Sequence, residues 1–422
     1  MYLSINFNYK SMKKGLKSLA LGSIALASMA LATSCDPKTQ SNLTASGLDP
    51  EAFDTAICVS YNYETGKFEA DPANAKQVEL HTLKNANGME VCITNFGGRI
   101  VSIMVPNKDG QLVDVAAGFD KVENYFPWNY ASDYGSSVGR YANRIDGGQF
   151  VCGLDTVTLD KNNNDHACLH GGFTGWQYQV YDVVDKTENT LKLHIATKGG
   201  EDNKFPGDVD VTVLFELTED NAIAITYDGA TNEETILNMT NHTYFNLSGD
   251  FNNTVCDALL TINADNYTPA DEWYIPTGEI RPVAGTVFDF RTAKKIGLNF
   301  ADNDPEIVAA GGGYDHNWCL NTNCDETKVA VTLSDPRSGI KLDVYTNEPG
   351  IQCYTANFQD GTCPGKGGIM YPYQCAICLE SQKYPDSPNK WTMEGWGEKT
   401  NPFISPEKPY HSYCKYAFSV EK

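Results

Sequence analysis

Apolar and polar residues alternate with a period of two along much of this sequence, and the alternation constrains the fold more than any other feature. Clear runs occur at residues 191–195, 209–215, 329–333 and 340–344. A two-residue period is typical of β-strands that bury one face. Turn-forming clusters at residues 107–110, 218–221 and 334–339 separate the runs. Because no stretch keeps a helical period for several turns, the sequence predicts a large, all-β, antiparallel protein, either a sandwich or a barrel.

The first 35 residues have the composition of a targeting segment. Lys13, Lys14 and Lys17 precede an apolar run at residues 19–31, which is too short for a stable transmembrane helix. The next four residues, ATSC, resemble a bacterial lipobox. We therefore expect Cys35 to be lipidated and the protein to be an exported, membrane-anchored lipoprotein, either periplasmic or on the cell surface. An ordinary secretory signal with an incidental cysteine is the alternative.

The charge of the chain limits its partners. Residues 1–35 hold four lysines and no acidic residue, so their removal lowers the net charge from −22 to −26. Such an acidic chain repels nucleic acid and anionic headgroups, and it disfavours phosphorylated substrates unless a local basic pocket exists. We expect residues 36–75 to be a tether and an irregular segment, and residues 76–422 to form one catalytic domain. We also expect a monomer that meets the membrane only through its lipid anchor.

Thirteen cysteines are many for a chain of 422 residues. An exported protein can pair some of them as disulfides, although the connectivity cannot be deduced from the sequence. Cys92, Cys353 and Cys378 lie in apolar strand patterns, where cysteine serves as a small buried hydrophobic residue. Cys375 and Cys378 form a CxxC pair, but no second pair with zinc spacing accompanies it. We therefore expect no redox or metal role for these cysteines.

Four short polar motifs interrupt the apolar patterns, and each contributes an imidazole or a carboxylate. In chain order they are LHGG at 169–172, NHTYFNLSG at 241–249, GYDHNW at 313–318 and CLESQKYPDSPN at 378–389. We single out two of their histidines, one aspartate and the glutamate, which stand among small and aromatic residues. A proton acid and a proton base beside a sugar-sized aromatic pocket can open and reclose a cyclic hemiacetal.

These motifs, with VGRYANRI at 138–145 and PTGEIRPVAGTVFDF at 276–290, closely resemble the aldose 1-epimerase (galactose mutarotase) family. The resemblance is continuous from about Val78 to the C-terminus. It implies a twisted β-supersandwich with the ligand in a cleft over one sheet. It also implies interconversion of the α and β anomers of free aldohexoses such as galactose or glucose, with no cofactor and no metal. The sequence holds no dinucleotide-binding or zinc signature, which is consistent with that chemistry.

The resemblance implies Glu380 and His242 as the catalytic base and acid. Glu380 follows an apolar run that ends at Leu379, and partial desolvation there would raise its pKa, as a general base requires. The matching glutamate of the family takes a proton from the C1 hydroxyl, and the matching histidine donates one to the ring oxygen. A lone histidine in a strand is more often a core residue, so the surrounding motif carries the assignment of His242.

Five further residues are implied to bind the sugar. His170 would hydrogen-bond the substrate and help to stabilise charge on the ring side, and Asp315 would accept hydrogen bonds from hydroxyl groups. Asn143 and Arg144 supply an amide and a fixed fork of donors, both of which suit hydroxyl recognition. Gln352 matches a ligand-contacting glutamine of the family.

Several neighbouring residues have a competing structural interpretation. Arg140 shares a motif with the site arginine, and we expect it to be the structural arginine of the two. His316 directly follows Asp315, and side chains of adjacent strand residues face opposite ways. We therefore expect Asp315 at the ligand and His316 in the scaffold. Trp318 and Tyr384 are candidates to line the pocket, with core packing as the alternative.

Two other functions remain open from the residues themselves. Asp315 and Glu380 could be the carboxylate pair of a glycoside hydrolase, although that mechanism would leave two histidines idle. A non-catalytic sugar-binding protein on the same fold is the second alternative, which the loss of Glu380 or His242 would have favoured.

Overall fold

The computed structural model describes residues 42–130 and 132–421. The predicted targeting segment at 1–35, with the predicted lipidation site Cys35, lies outside the described residues. Within them, no helix is long and apolar enough to cross a membrane.

Strands dominate the described chain. Their bounds are β1 (Thr55–Ile57), β2 (Val59–Asn62), β3 (Lys67–Ala70), β4 (Lys76–Val78), β5 (Leu80–Lys84), β6 (Glu90–Thr94), β7 (Arg99–Pro106), β8 (Leu112–Asp114), β9 (Ser137–Val138), β10 (Arg144–Ile145), β11 (Gln149–Cys152), β12 (Asp155–Thr158), β13 (Cys168–Leu169), β14 (Asp182–Lys186), β15 (Thr190–Thr197), β16 (Val209–Leu217), β17 (Ala222–Thr231), β18 (Thr235–Ile236), β19 (Thr240–Asn241), β20 (Tyr244–Phe245), β21 (Leu259–Ile262), β22 (Asn266–Thr268), β23 (Arg281–Pro282), β24 (Lys294–Lys295), β25 (Asp315–Cys319), β26 (Val329–Asp335), β27 (Ile340–Thr346), β28 (Gly350–Tyr354), β29 (Ile377–Gln382), β30 (Phe403–Ile404) and β31 (Tyr410–Val420).

Helices are few and short. Within residues 42–130 and 132–421, the two α-helices are α1 (Pro305–Ala309) and α2 (Ser387–Lys390). Short 3₁₀-helical segments occupy Pro50–Phe53, Pro72–Asn74, Val122–Tyr125, Asp146–Gly148, Gly172–Thr174, Trp176–Tyr178, Val255–Asp257, Ile296–Asp302, Lys366–Gly368 and Glu398–Thr400.

A nine-stranded sheet forms the larger layer of the fold. Its strand order is β14-β15-β16-β17-β31-β27-β26-β21-β24, and neighbouring strands pair in antiparallel fashion. The four alternating runs of the sequence correspond to β15, β16, β26 and β27, all of which belong to this sheet. In β16 the apolar positions from Val209 to Leu217 are buried and the residues between them are at least partly exposed. The predicted large antiparallel architecture is confirmed.

The buried face of this sheet packs against two smaller sheets, which gives the predicted supersandwich. One has the order β5-β6-β7-β8 and the other the order β20-β29-β28-β25-β22-β23. Leu193 and Val213 of the large sheet share one apolar core with Ile103 of the four-stranded sheet and with Ile351 and Leu379 of the six-stranded sheet. Each fully buried side chain of this size contributes roughly 1.5–3 kcal/mol.

The two faces of the six-stranded sheet differ in composition, and this difference positions the site. In β29, Ile377 and Leu379 enter the core, so Cys378 and Glu380, which alternate with them along the strand, point to the opposite face. The register aligns Glu380 with Gln352 of β28, and Gln352 in turn with Asn317 of β25. A row of polar side chains therefore crosses the sheet on the face turned away from the core.

The N-terminal segment is more regular than the sequence predicts. The described part of residues 36–75 holds the hairpin β2–β3, and β1 pairs with β4. Leu48, Phe53 and Val59 are buried against an apolar cluster of the body. Tyr61 stacks on Phe173 with ring centroids 4.1 Å apart. Isolated apolar residues in a polar stretch carry no periodic signal, which is why the sequence did not reveal this packing.

The position of β31 predicts that the C-terminus is essential for folding. This last strand lies between β17 and β27, with Gly229 paired to Tyr410 and Ile340 paired to Val420. A chain that ends at residue 409 would leave two long edges unpaired in the centre of the sheet. We expect it to be insoluble or to lack a cooperative thermal transition. A control chain that ends at Val420 should melt within a few degrees of the full chain, and cooperative melting of the shorter chain would contradict this account.

Candidate active site

The predicted site residues converge on a cavity of about 190 Å³ over the polar face of the six-stranded sheet. Larger cavities exist, one of them about 540 Å³ beside the N-terminal hairpin, but the predicted acid and base meet in this one. Six of the seven predicted residues line it. The seventh, Gln352, does not line the cavity but donates a hydrogen bond to Asp315, which does. The lining residues are Asp133, Asn143, Arg144, Leu169, His170, His242, Tyr244, Asp315, Tyr354, Phe358 and Glu380.

Glu380 and His242 form the centre of the site. The Oε1 atom of Glu380 lies 3.5 Å from Nε2 of His242, and both side chains are almost fully buried. His242 sits between β19 and β20, where its backbone N–H donates to the carbonyl of Ser136 and its carbonyl accepts from Gly135. Its ring stacks on Tyr244 with centroids 5.0 Å apart. The backbone and the stacked ring together fix the imidazole in front of the carboxylate.

Burial makes Glu380 a stronger base than an exposed glutamate. Loss of solvation raises its pKa to about 7, an effect that the nearby His242 opposes and that the carboxylates of Asp315 and Asp133 reinforce. Its Oε2 atom is buried and has no hydrogen-bond partner, and the same is true of Nδ1 of His242. A base with a pKa near neutrality is well matched to proton transfer at physiological pH.

His170 occupies a sharp turn after β13 and is held in one tautomer. The pairing of β10 with β13 brings this turn against Asn143, and the two residues bond reciprocally. The N–H of Asn143 donates to Nδ1 of His170 over 3.1 Å. A side chain at the adjacent Gly171, where φ is 80°, would lie 2.1 Å from the carbonyl oxygen of Gly139. The turn therefore requires glycine, as the LHGG motif indicates.

His170 is consequently a neutral hydrogen-bond donor. Burial lowers its pKa well below the ordinary value, and the charges of His242 and Arg144 add to this effect. Because Nδ1 accepts from a backbone N–H, the single ring proton lies on Nε2. His170 can therefore donate a hydrogen bond into the cavity but cannot supply a proton at neutral pH.

Asp315 is oriented from two sides. Gln352 donates from Nε2 to Oδ1 of Asp315 over 2.6 Å, and Nη2 of Arg144 lies 3.5 Å from Oδ2. The guanidinium of Arg144 also lies over the ring of Tyr274, 4.7 Å from its centroid, and donates from Nε to Asn163. Gln352 is therefore placed to position Asp315, whereas the sequence suggested a direct ligand contact.

The structure separates the residues with competing interpretations. His316 faces Phe288 and the core, opposite to Asp315, as the strand alternation predicts. Arg140 forms a buried ion pair with Asp202, with a distance of 2.6 Å between Nε and Oδ2, and is structural.

Neither aromatic candidate for the pocket lines the cavity. Trp318 is buried in the main core, and Tyr384 packs on Trp396 in a separate cluster. Core packing, the alternative that the sequence left open, holds for both; strand alternation explains the first, since Trp318 shares the core-facing side of β25 with His316.

The aromatic wall of the cavity was missed by the sequence analysis. Tyr244, Tyr354 and Phe358 form it, and Tyr274 backs the guanidinium of Arg144. Tyr244 lies inside the NHTYFNLSG motif, two residues after His242 on the same face, so strand parity could have identified it. Nothing in the sequence distinguishes Tyr354 or Phe358 from core residues.

Asp133 was also missed, and with His170 and His242 it forms a group whose potential ligand atoms lie within 4.8 Å of one another. Such a set has the residue types of a transition-metal site. The tautomer of His170 argues against that use, because its Nε2 carries the proton while Nδ1 is occupied by Asn143. A metal bound at Nδ1 would displace the hydrogen bond from Asn143. A metal bound at Nε2 would require that nitrogen to give up its proton, either to Nδ1, which again breaks the hydrogen bond, or from the ring altogether.

An acid and a base placed this close serve proton transfer at two neighbouring oxygens of one ligand. Together with the hydroxyl-binding side chains around them, they define the class of protein as an acid–base enzyme that acts on a carbohydrate.

Comparison with known proteins identifies the family. A sequence model of the family described as aldose 1-epimerase matches residues 79–396. The aldose 1-epimerase of Escherichia coli K12 is 36% identical over 345 residues, which cover 81% of this chain and 95% of the relative. The galactose mutarotase of Mus musculus is 36% identical over 349 residues, 83% of this chain and 96% of the relative. The chain belongs to the aldose 1-epimerase family, and the family predicted from the motifs is confirmed.

Solved structures confirm the predicted fold. An aldose epimerase homologue from C. elegans superposes with a TM-score of 0.74 at 26% identity, over 82% of this chain and 100% of that chain. The galactose 1-epimerase of Lactobacillus acidophilus NCFM gives a TM-score of 0.69 at 27% identity, over 87% and 100%. These relatives favour neither the glycoside hydrolase nor the non-catalytic alternative.

The raised pKa of Glu380 predicts that this residue destabilises the fold at alkaline pH. The folded-state pKa of about 7 lies above the ordinary value of 4.5, so the folded chain loses stability as the pH rises through that window. Glu380→Gln removes the ionisation, and we expect it to raise the melting temperature at pH 8 but much less at pH 5. The gain should reach up to about 3 kcal/mol, since one pKa unit corresponds to about 1.4 kcal/mol.

Glu348 provides a matched control, because it is equally buried but paired with Lys383 at 3.0 Å. Glu348→Gln leaves that lysine without its partner, so it should lower the melting temperature at both pH values. If Glu380→Gln melts below the wild type at pH 8, the interaction of the Glu380 carboxylate with His242 stabilises the fold by more than the burial of that carboxylate costs.

Proposed function

We propose that this protein interconverts the α and β anomers of free aldohexoses such as galactose or glucose. The observation that carries the proposal is the approach of Glu380 Oε1 to His242 Nε2, 3.5 Å apart in a cavity lined by hydroxyl-binding side chains. The two oxygens that exchange protons in anomerisation, O1 and the ring oxygen, are bonded to the same carbon. An acid and a base that act on both must therefore be close neighbours.

The reaction follows from these two groups. Glu380 takes the proton of the C1 hydroxyl while His242 gives a proton to the ring oxygen. The bond between C1 and the ring oxygen breaks as the C1–O1 double bond forms, which gives the open-chain aldehyde. Rotation about C1–C2 presents the other face of the aldehyde to the C5 hydroxyl. The ring then closes as His242 takes the C5 hydroxyl proton back and Glu380 returns its proton to O1.

The remaining residues hold the sugar during this exchange. Neutral His170 donates from Nε2, which suits a group that stabilises developing negative charge on oxygen without transferring a proton. Asp315 accepts from hydroxyl groups in an orientation set by Gln352, and Arg144 and Asn143 donate. Tyr354 and Phe358 offer apolar surface for the sugar ring.

We also propose that the mature protein is an exported monomer anchored through a lipid on Cys35. The lysine-rich start, the apolar run at 19–31 and the ATSC sequence support this. Residues 76–422 then form the catalytic domain, which the preceding residues connect to the anchor.

Substitution of the acid or the base should remove most of the activity while sugar binding persists. Glu380→Gln keeps size and hydrogen bonding but removes the base, and His242→Asn removes the acid. Each should lower kcat by roughly two orders of magnitude or more in polarimetry of freshly dissolved α-galactose and α-glucose. The double variant should be little worse than either single variant, because one proton relay uses both groups.

His316→Asn is the matched control, because this histidine adjoins Asp315 but faces the core. It should change stability more than kcat. Near-normal kcat with both sugars in Glu380→Gln or His242→Asn would exclude that residue from the reaction. Release of reducing ends from a disaccharide would favour the hydrolase, and tight binding without turnover would favour a binding protein.

Lipidation at Cys35 predicts a specific mature N-terminus. Mass spectrometry of the protein extracted from membranes should find a chain that begins at residue 35 and carries a diacylglyceryl group on its cysteine. Cys35→Ser should release the protein from the membrane fraction. An unmodified chain that begins elsewhere would support the ordinary secretory signal instead.

A further inference from the structure

Asp133 is a carboxylate of the active-site cavity to which neither the sequence motifs nor the proposed reaction assigns a role. It lines the same cavity as Glu380 and His242. Its Oδ1 atom is buried and has no hydrogen-bond partner. One of its carboxylate oxygens lies within 4.8 Å of a ring nitrogen of His242 and of His170. Asp133 as a whole is half-buried, and a buried carboxylate oxygen without a partner costs free energy that a nearby positive charge can offset.

A fully buried arginine fixes the backbone on both sides of Asp133. Nη1 of Arg99 donates to the carbonyl oxygens of Ser132 and Tyr134, each over 3.1 Å. Nη2 of the same guanidinium donates to the carbonyl of Gln177 over 2.6 Å. The Gln177 side chain in turn donates to the carbonyl of His170 over 3.0 Å. The backbone around Asp133 is thus held on the side of the cavity where both histidines lie.

We infer that Asp133 is a positioning residue of the reaction, whose fixed negative charge keeps His242 protonated in the complex with sugar. The inference rests on the proposed role of His242 as the acid. A cation is stabilised by a carboxylate within about 4–6 Å, more strongly in a buried site than in water. Glu380 alone cannot supply this stabilisation throughout the reaction, because its charge is neutralised when it accepts the C1 hydroxyl proton.

The other titratable groups that face His242 do not provide that charge. Glu380 approaches from β29 at 3.5 Å and His170 from its turn, with ring centroids 5.2 Å apart, but His170 is neutral. Tyr244 and Tyr354 face the ring at 5.0 and 6.4 Å, and burial raises the pKa of both well above their ordinary values, so they are neutral too.

The remaining charges of the cavity form a pair of their own. Arg144 and Asp315 lie 3.5 Å apart, so the positive charge of the guanidinium is largely offset by its carboxylate partner. Among the described carboxylates of this cavity, Asp133 is then the one that can balance the imidazolium while Glu380 acts as a base, and its charge also acts on the guanidinium of Arg99.

Loss of this charge should move the whole pH–rate profile in one direction. Asp133→Asn keeps the shape of the side chain but removes its charge. His242 then loses its proton at a lower pH, which moves the alkaline limb of kcat/KM to lower pH. Glu380 ionises at a lower pH as well, because the charge of Asp133 contributes to its raised pKa. The acid limb and the alkaline limb of the profile, which report on Glu380 and His242 as a coupled pair, should therefore both move to lower pH by about 1 unit. At a pH above the optimum, kcat/KM should fall roughly tenfold.

The controls separate charge from packing. Asp210→Asn removes one charge from an exposed position on β16, where Asp210 pairs with His194, and should leave both limbs unchanged. Asp133→Glu should restore the limbs at least in part. A loss of activity in Asp133→Asn with both limbs unmoved would mean a purely structural role and would overturn the inference. Asp133→Ser serves as a second uncharged variant should the asparagine variant fold poorly.

A titration without sugar distinguishes failure of this inference from failure of the proposed function. Proton–carbon NMR of the imidazoles, with His242 assigned by the signal missing in His242→Asn, should show it titrating at lower pH in Asp133→Asn than in the wild type. An unchanged titration overturns the role of Asp133 whatever the activity. If the titration of His242 shifts in Asp133→Asn but the wild type has no mutarotase activity, the electrostatic coupling between Asp133 and His242 is supported and the proposed reaction is rejected.

Discussion

The two-residue period of β29 is the constraint on which both the fold and the site depend. Leu379 enters the core between the two layers of the sandwich, and the next residue, Glu380, must then face the cavity. The strand is paired with β20 at Ile377 and Cys378 and with β28 as far as Gln382, so the carboxylate cannot change face without breaking the register with β28. The same pairing that buries the strand therefore desolvates the base and raises its pKa.

The two histidines of the cavity have different neighbours, and these suit them to different roles. His170 has a backbone N–H as its partner at Nδ1, which favours the neutral ring, and burial favours neutrality further. His242 instead has the carboxylate of Glu380 in front of its Nε2, at 3.5 Å. One imidazole is thereby suited to hydrogen bonding and the other to proton donation, although both lie in one cavity with ring centroids 5.2 Å apart.

The sequence predicted the features that follow from the alternation of residues along a strand and from the short motifs. It missed the features that depend on contacts between distant parts of the chain. The alternating runs identified strands of the large sheet, and parity alone separated Asp315 from His316. The orienting role of Gln352 depends on the register of β25 with β28, which the sequence does not encode locally. Asp133 lies in a loop fixed by Arg99 from β7, a contact between residues far apart in the sequence and without any periodic signal.

The balance of charge in the cavity argues for a neutral substrate. Three carboxylates, those of Glu380, Asp315 and Asp133, line it together with Arg144, and the guanidinium is already paired with Asp315. The cavity is therefore not the local basic pocket that a phosphorylated sugar would need on so acidic a chain. A neutral polyhydroxyl ring adds no charge to the site, and its hydroxyl groups can satisfy the buried oxygens that lack partners. The acidity of the protein and the composition of its active site thus select the same kind of ligand.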